Sequence, residues 1–183
     1  AIELVKTQLN IFDNEFSMRF QRNPIHNIES RIKSPQSIIG KLQRKGFAVS
    51  PESARIHLQD IAGVRVICYY VDDIYAIANL LTEHSAFQLK RIKDYIKNPK
   101  LNGYRSFHMI LNVPVYMANG KEFAPVEIQI RTIAMDFWAS LEHQLHYKSI
   151  GNQDVAASLT DELKQCAETI AETDLKMQDM FKE

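Results

Sequence analysis

Cysteine is scarce in this chain of 183 residues: only Cys68 and Cys166 occur, far apart and outside any C-x-x-C spacing. That scarcity excludes a disulfide scaffold and a cysteine zinc site, and it favours a reducing compartment. No apolar run approaches the ~18 residues that a membrane span needs, and no basic-then-apolar leader opens the sequence. A soluble cytoplasmic protein without a membrane partner is expected. Net charge is missing too, with 22 Lys plus Arg against 22 Asp plus Glu, so the chain is not coated for nucleic acid. The usual phosphate and hydrolase signatures are absent: no G-x-x-x-x-G-K-[ST], no G-x-G-x-x-G, no G-x-S-x-G and no H-E-x-x-H. Any phosphate handled here must therefore meet side-chain cations. What remains is ordinary globular material, 45% apolar and 24% charged, enough for one well-filled core.

The neutral total conceals a segregation. Residues 31–45 hold Arg31, Lys33, Lys41, Arg44 and Lys45 with no acid, and residues 90–105 hold Lys90, Arg91, Lys93, Lys97, Lys100 and Arg105 against Asp94 alone. Half of all basic residues thus sit in two short stretches, which points to local anion binding or, more blandly, to solvated surface charge.

Periodicity organises the rest. Ile2, Val5, Leu9, Phe12 and Phe16 recur at three and four, predicting a helix within 1–22 that ends at Asn23-Pro24. Ser34 before Pro35 is an N-cap followed by a first-turn proline, so a helix is expected over about 35–45, stopping near Gly46. On it Ser37, Lys41 and Arg44 share one polar face, opposite Ile38, Ile39 and Leu42. Residues 63–70 read as a buried strand, 73–84 as a helix and 87–96 as a strand. Residues 106–117 alternate Phe107, Met109, Leu111 and Val113 against Ser106, His108 and Asn112, and Asn119-Gly120 is a hairpin signal. The returning strand, 122–131, sets Val126, Ile128 and Ile130 against Glu127, Gln129 and Arg131, and a helix follows over 132–148. Last, Leu159, Leu163, Cys166, Ile170, Thr173, Met177 and Met180 make a heptad seam, for the first helix or for another subunit. An α+β fold around a mixed sheet of about five strands is expected.

Several side chains stand out chemically. Asp60 enters the buried strand, and Glu127 lies within a strand, where acids are disfavoured. Two carboxylates from neighbouring strands suit magnesium, a hard cation that takes oxygen ligands and substrate phosphates. A cap at Asp60 and a surface ion pair at Glu127 are the plain alternatives. The polar faces of the paired strands either meet solvent or line a cleft. Asn102-Gly103 forces a turn that presents Tyr104 between Lys100 and Arg105, suited to stacking a nucleobase or to an ordinary core tyrosine. His143 and His146, one helical turn apart, read as helix packing, and Tyr69, Tyr70 and Trp138 as core.

The succession RIKSPQSIIGKLQRKG, QDIAGVRVICYY, RIKDYIKNPKLNGYRSFH, VEIQIRT and MDFWASLEHQLHYK closely resembles the synthetase domain of the RelA/SpoT family, which makes the alarmones ppGpp and pppGpp. The resemblance covers about 25–148, the expected catalytic core with a nucleotidyltransferase-like fold, between an N-terminal helix (1–22) and a C-terminal helix (153–181). The length resembles the small stand-alone members, and the chain has no His-Asp dipeptide, so no hydrolase activity is expected. The resemblance implies magnesium-dependent transfer of the β,γ-pyrophosphate of ATP to the 3′-hydroxyl of GTP or GDP. It assigns Arg31, Lys33, Ser37, Lys41, Arg44 and Arg65 to ATP, Asp60 to the metal, and Glu127 to both the metal and the 3′-hydroxyl. Tyr104 matches the guanine-stacking residue, and Lys93, Lys100, Asn102, His108 and Gln129 match the acceptor side. Ser30 and Asp136 depart from forms common in the family, Gly and Asn. Homotetramers, and regulation by an alarmone or by single-stranded RNA, are further implications. The rival from another class is a non-catalytic module binding single-stranded RNA, which would have no use for Asp60 and Glu127 facing its basic groove.

Overall fold

Two strands of alternating pattern make the centre of the molecule. β4 (Phe107–Met117) and β5 (Gly120–Thr132) pair antiparallel from Phe107↔Ile130 to Met117↔Gly120 in the computed structural model, which describes residues 1–148 and 153–182. The predicted hairpin is there, one residue earlier than Asn119-Gly120. Ala118 and Asn119 span the turn, and Gly120 opens the return strand at φ 126°, which side-chain-bearing residues rarely adopt. β3 (Gln88–Asp94) pairs antiparallel outside β4, while β2 (Ala62–Cys68) pairs parallel with β5 and β1 (Ile25–Ile32) closes the other edge. The order β1-β2-β5-β4-β3 is the mixed five-stranded sheet expected.

One face of this sheet is the core. Val64, Val66, Met109, Leu111, Val126, Ile128 and Ile130 are buried under α1 (Ile2–Phe20) and α4 (Val71–Glu83), which contribute Val5, Leu9, Ile74, Ile77 and Leu81. The period of two turns Arg65, His108, Glu127, Gln129 and Arg131 to the opposite face. α2 (Pro35–Arg44) and α3 (Pro51–His57) form a small satellite through Leu42, Ala54 and Leu58, and α5 (Ile133–Lys148) and α6 (Gln153–Lys182) complete the molecule. No helix among the described residues is long and apolar enough to cross a membrane.

Four expectations need correction. β1 was not anticipated, because IHNIESRI is an edge strand exposed along most of its length and so lacks the apolar alternation that marks a half-buried one. α3 was also missed, although Ser50-Pro51 repeats the Ser34-Pro35 signal: the Ser50 hydroxyl accepts from the Ser53 N–H at 3.1 Å. Tyr69 is not core but 42% exposed, and Tyr70 is half-buried against Phe181; Trp138 is buried as expected.

The heptad seam is the fourth. α6 buries a different stripe, Ala167, Asp174 and Gln178, against the body of the protein, leaving Cys166, Thr173, Met177 and Met180 exposed. Its polar members are satisfied there: Asp174 accepts from the Thr132 hydroxyl at 2.6 Å, and Gln178 from the Asp72 N–H at 2.9 Å. Leu159, Leu163 and Ile170 of the seam are half-buried, and its exposed members remain available to another subunit; the stripe that packs inside was missed because it carries paired polar groups.

Candidate active site

α2 owes its position to its cap. The Ser34 hydroxyl accepts from the Ser37 N–H at 3.3 Å, Pro35 fills the first turn, and the helix then projects Lys41 toward the mouth of β2. Lys41 Nζ lies 2.6 Å from Asp60 Oδ2 and Lys33 Nζ 3.1 Å from the same oxygen. Burial pushes the Asp60 carboxyl up, but the hydrogen bonds and charges of Lys41 and Lys33 outweigh it and hold it below the usual value. Its other oxygen, Oδ1, is buried without a hydrogen-bond partner among the described residues. A lone carboxylate oxygen of this kind is an available ligand for a hard cation. Ser37 remains exposed beside Ser34, and Arg44 lies exposed farther along α2.

Two clefts meet at Glu127. One, of about 620 Å³, is lined by Lys41, Lys45, His57, Asp60, Arg91 and Glu127. The other, of about 370 Å³, is lined by Glu29, Arg31, Gly63, Arg65, Glu127 and Gln129. Both carboxylates singled out in the sequence therefore face common space, with cations on three sides. Among the described residues no group of three or more His, Cys, Asp or Glu side chains gathers as a metal site. A cation here would be held by one or two carboxylates and by phosphate oxygens, as magnesium is in phosphoryl-transfer sites.

On the other side of Glu127 the polar side chains form a closed network. Arg131, 5% exposed, donates from Nη2 to Tyr104 Oη at 2.6 Å and to Gln129 Oε1 at 3.2 Å. Its Nε donates to Ser106 Oγ at 3.3 Å, and its Nη1 to Asp136 Oδ1 at 3.1 Å. Tyr104 Oη also lies 2.8 Å from His108 Nε2. Gln129 Nε2 donates to Glu127 Oε2 at 3.2 Å, and His108 Nδ1 stands 3.9 Å from Glu127 Oε1. Burial, reinforced by Arg131, Lys100 and Lys93, pushes the His108 pKa down to about 3, so its ring is neutral at physiological pH. Lys93 is exposed on β3 directly across from His108.

Tyr104 is less open than the turn suggested: it is half-buried, with Lys100 Nζ 4.4 Å and Arg131 Cζ 5.1 Å from its ring centroid. Asn102 Oδ1 accepts from the Tyr104 N–H at 3.2 Å, and Asn102 Nδ2 donates to Glu142 at 3.3 Å, tying the loop to α5. Gly103, at φ 87°, touches α6 so closely that a Cβ would lie 2.5 Å from that of Ala167. His143 is exposed on α5, and the His146 side chain lies outside the described residues.

Two members escaped the sequence assignment. Arg131 shares the period-two face with Glu127 and Gln129, which was its signal, but no role was given to it. Asp136, noted only as a departure, pairs with Arg131 at 3.1 Å and with Arg65 at 3.5 Å and so joins the two sides. Arg65 also pairs with Glu29 at 3.4 Å.

The model of the region found in RelA / SpoT proteins matches residues 30–152. The chain is 46% identical over 183 residues to GTP pyrophosphokinase YwaC of Bacillus subtilis (strain 168), covering 100% of this chain and 86% of that protein. GTP pyrophosphokinase YjbM of the same strain is 34% identical over 180 residues, covering 98% and 83%. Among solved structures, small alarmone synthetase 2 from Bacillus subtilis superposes with a TM-score of 0.87 at 46% identity, covering 100% of this chain and 93% of that one. Small alarmone synthetase 1 from Bacillus subtilis, bound to its product pppGpp, gives 0.86 at 33% identity, covering 98% and 90%.

Proposed function

Because the chain belongs to the RelA/SpoT family, we propose that it makes pppGpp or ppGpp by transferring the β,γ-pyrophosphate of ATP to the 3′-hydroxyl of GTP or GDP, in the cytoplasm and without hydrolase activity. The observation that carries this reading is one carboxylate, Glu127, that shares a cleft with the lysine-held Asp60 and is bonded by Gln129 of the Tyr104 network. The 3′-oxygen attacks the β-phosphorus of ATP, the bond between that phosphorus and the α–β bridging oxygen breaks, and AMP leaves. Glu127 accepts the proton of the 3′-hydroxyl. Lys33, Lys41 and Arg65, with exposed Arg31 and Arg44, bind and neutralise the ATP phosphates and flank its base, and Ser37 adds a hydroxyl donor. This class of reaction asks chiefly for positioning and charge neutralisation, which such a clamp provides. On the acceptor side Tyr104 stacks on guanine in place of Lys100, while Lys93, Lys100, Asn102, His108 and Gln129 hold the remaining polar groups.

Magnesium fits the donor set, since Asp60 Oδ1 is buried without a partner among the described residues and Glu127 shares its cleft. Held by Asp60 and Glu127, the ion would supply positive charge against the phosphates in the transition state. Residues 25–148 are then the catalytic core, and the exposed apolar face of α6, with Met177, Met180 and Phe181, is the contact of a homo-oligomer. The RNA-binding alternative gains nothing from an acid buried between lysines.

Incubation with ATP, magnesium and either GTP or GDP, followed by chromatography, tests the reading. Equal amounts of AMP and a new 3′-diphosphorylated guanosine nucleotide are expected. Hydrolysis of ATP without a guanosine product, or no reaction with both nucleotides bound, would count against it.

A further inference from the structure

The buried guanidinium of Arg131 starts two hydrogen-bond chains toward Glu127: one is bonded to Oε2 through Gln129, and the other ends at His108, whose Nδ1 stands 3.9 Å from Oε1. We propose that Arg131 is the positioning residue for this carboxylate: through Tyr104 Oη it holds His108 as the Nδ1–H tautomer, and it fixes the orientation of the Gln129 amide, so that a donor faces each oxygen of Glu127.

The direction of each chain follows from what its members can donate. A guanidinium has no acceptor, so the contact of 2.6 Å makes Tyr104 Oη accept from Arg131 Nη2. Accepting from a cation polarises the phenol and makes its own O–H the better donor, and His108 Nε2 lies 2.8 Å away to receive it. With Nε2 occupied as an acceptor, the proton of the neutral ring is on Nδ1, the nitrogen 3.9 Å from Glu127 Oε1. The other tautomer would set a bare lone pair against a carboxylate and leave two donors competing at the phenol oxygen. In the second chain Arg131 Nη2 occupies Gln129 Oε1 at 3.2 Å, which fixes the amide so that its nitrogen donates to Glu127 Oε2 at 3.2 Å. Asp136 and Ser106 accept from the other two Arg131 nitrogens and hold the guanidinium in plane, so its charge is compensated where it is buried. The second chain runs along β5 alone, and the first reaches β4, where His108 pairs directly with Gln129. The catalytic side of the proposal rests on Glu127 being the base; the tautomer does not.

The experiment uses the full chain with 15N-labelled histidine. Long-range 15N–1H correlations separate the two neutral tautomers, and the signals of His108 are those lost in His108→Gln. At pH 7 the Nδ1–H form is expected. Tyr104→Phe keeps the ring and removes the hydroxyl: His108 should move to the Nε2–H form or a mixture, kcat should fall about tenfold, as for one lost charge-linked hydrogen bond, and the acceptor KM should change less than about threefold. Arg131→Lys, which lacks the planar fork, should shift the same signals with an intermediate loss of kcat. Arg131→Met removes the nearer partner of Asp136 and opens the buried network, which mixes positioning with stability, so the decision falls on Tyr104→Phe. An Nε2–H wild type, or a tautomer unmoved by Tyr104→Phe, overturns the proposal, as does a moved tautomer with unchanged kcat. A wild type that shows the Nδ1–H form yet makes no alarmone overturns the reading of the function instead and leaves the relay standing.

Discussion

The two sides of Glu127 are built on opposite plans. Toward Asp60 the protein offers cations in excess of anions, several of them exposed; Lys33 and Lys41 meet one carboxylate, and Arg65 pairs with Glu29 and Asp136. Toward Tyr104 it offers a buried network in which every nitrogen of the Arg131 guanidinium has an acceptor. The first plan suits a flexible polyanion, because long side chains can follow phosphates and the attraction tolerates small errors of position. The second suits a nucleophile that must arrive at one place, because a satisfied buried network has one arrangement. An error on the first side should therefore cost affinity, and on the second side geometry.

Substitutions that separate the two plans should show that difference. The largest effect is expected for Lys41→Ala, which strips Asp60 of its nearer cation: the KM for ATP should rise about ten- to hundredfold with the acceptor KM within threefold. Tyr104→Ala should do the reverse. Steady-state kinetics with each nucleotide varied in turn would reveal a crossed pattern, which would merge the two sides into one. Gly103→Ala comes next. Its Cβ would meet Ala167 at 2.5 Å in a backbone at φ 87°, so α6 or the loop must move, costing about 1–3 kcal/mol in urea unfolding. The acceptor KM, but not that of ATP, should rise with it.

The smallest effect concerns Asp174, the carboxylate that α6 buries beneath the same region. Burial raises its pKa above 3.8, and the hydrogen bond from Thr132 offsets only part of this. A carboxyl raised in the folded state contributes stability that is fully present below 3.8 and is lost as the pH rises through the folded value. Asp174→Asn, which does not titrate, should therefore melt higher than the wild type at pH 7, by no more than about 3 °C. The difference should vanish below pH 3.8 in paired thermal melts. A variant that is less stable at pH 7 would mean that the Thr132 bond outweighs the burial of charge.

The same contrast explains how much the sequence could reveal. The donor side is local: Ser34-Pro35 starts α2, helical spacing aligns Ser37, Lys41 and Arg44, and Asp60 stands just before a strand that is unmistakable from its β-branched run. The hairpin and its alternation also placed Glu127 and Gln129 on one polar face. The Tyr104 network is non-local. That Arg131 is buried, and that it bonds Ser106, Tyr104 and Asp136, depends on the register of β4 against β5 and on a loop held by α6, and none of these has a pattern in neighbouring residues. β1 was hidden for a related reason, since an exposed edge strand carries no alternation. The inward stripe of α6 was missed because it uses Ala167, Asp174 and Gln178 where apolar counting looks for leucine.

Glu127 is where the two plans meet, and Glu127→Gln tests that meeting most directly. The amide keeps the shape and removes the proton acceptor, so binding of ATP and of GTP or GDP, each followed by calorimetry, should stay within about threefold while turnover falls by roughly 10²–10⁴. Turnover near that of the wild type, with both nucleotides bound, would remove Glu127 from the reaction and contradict the account.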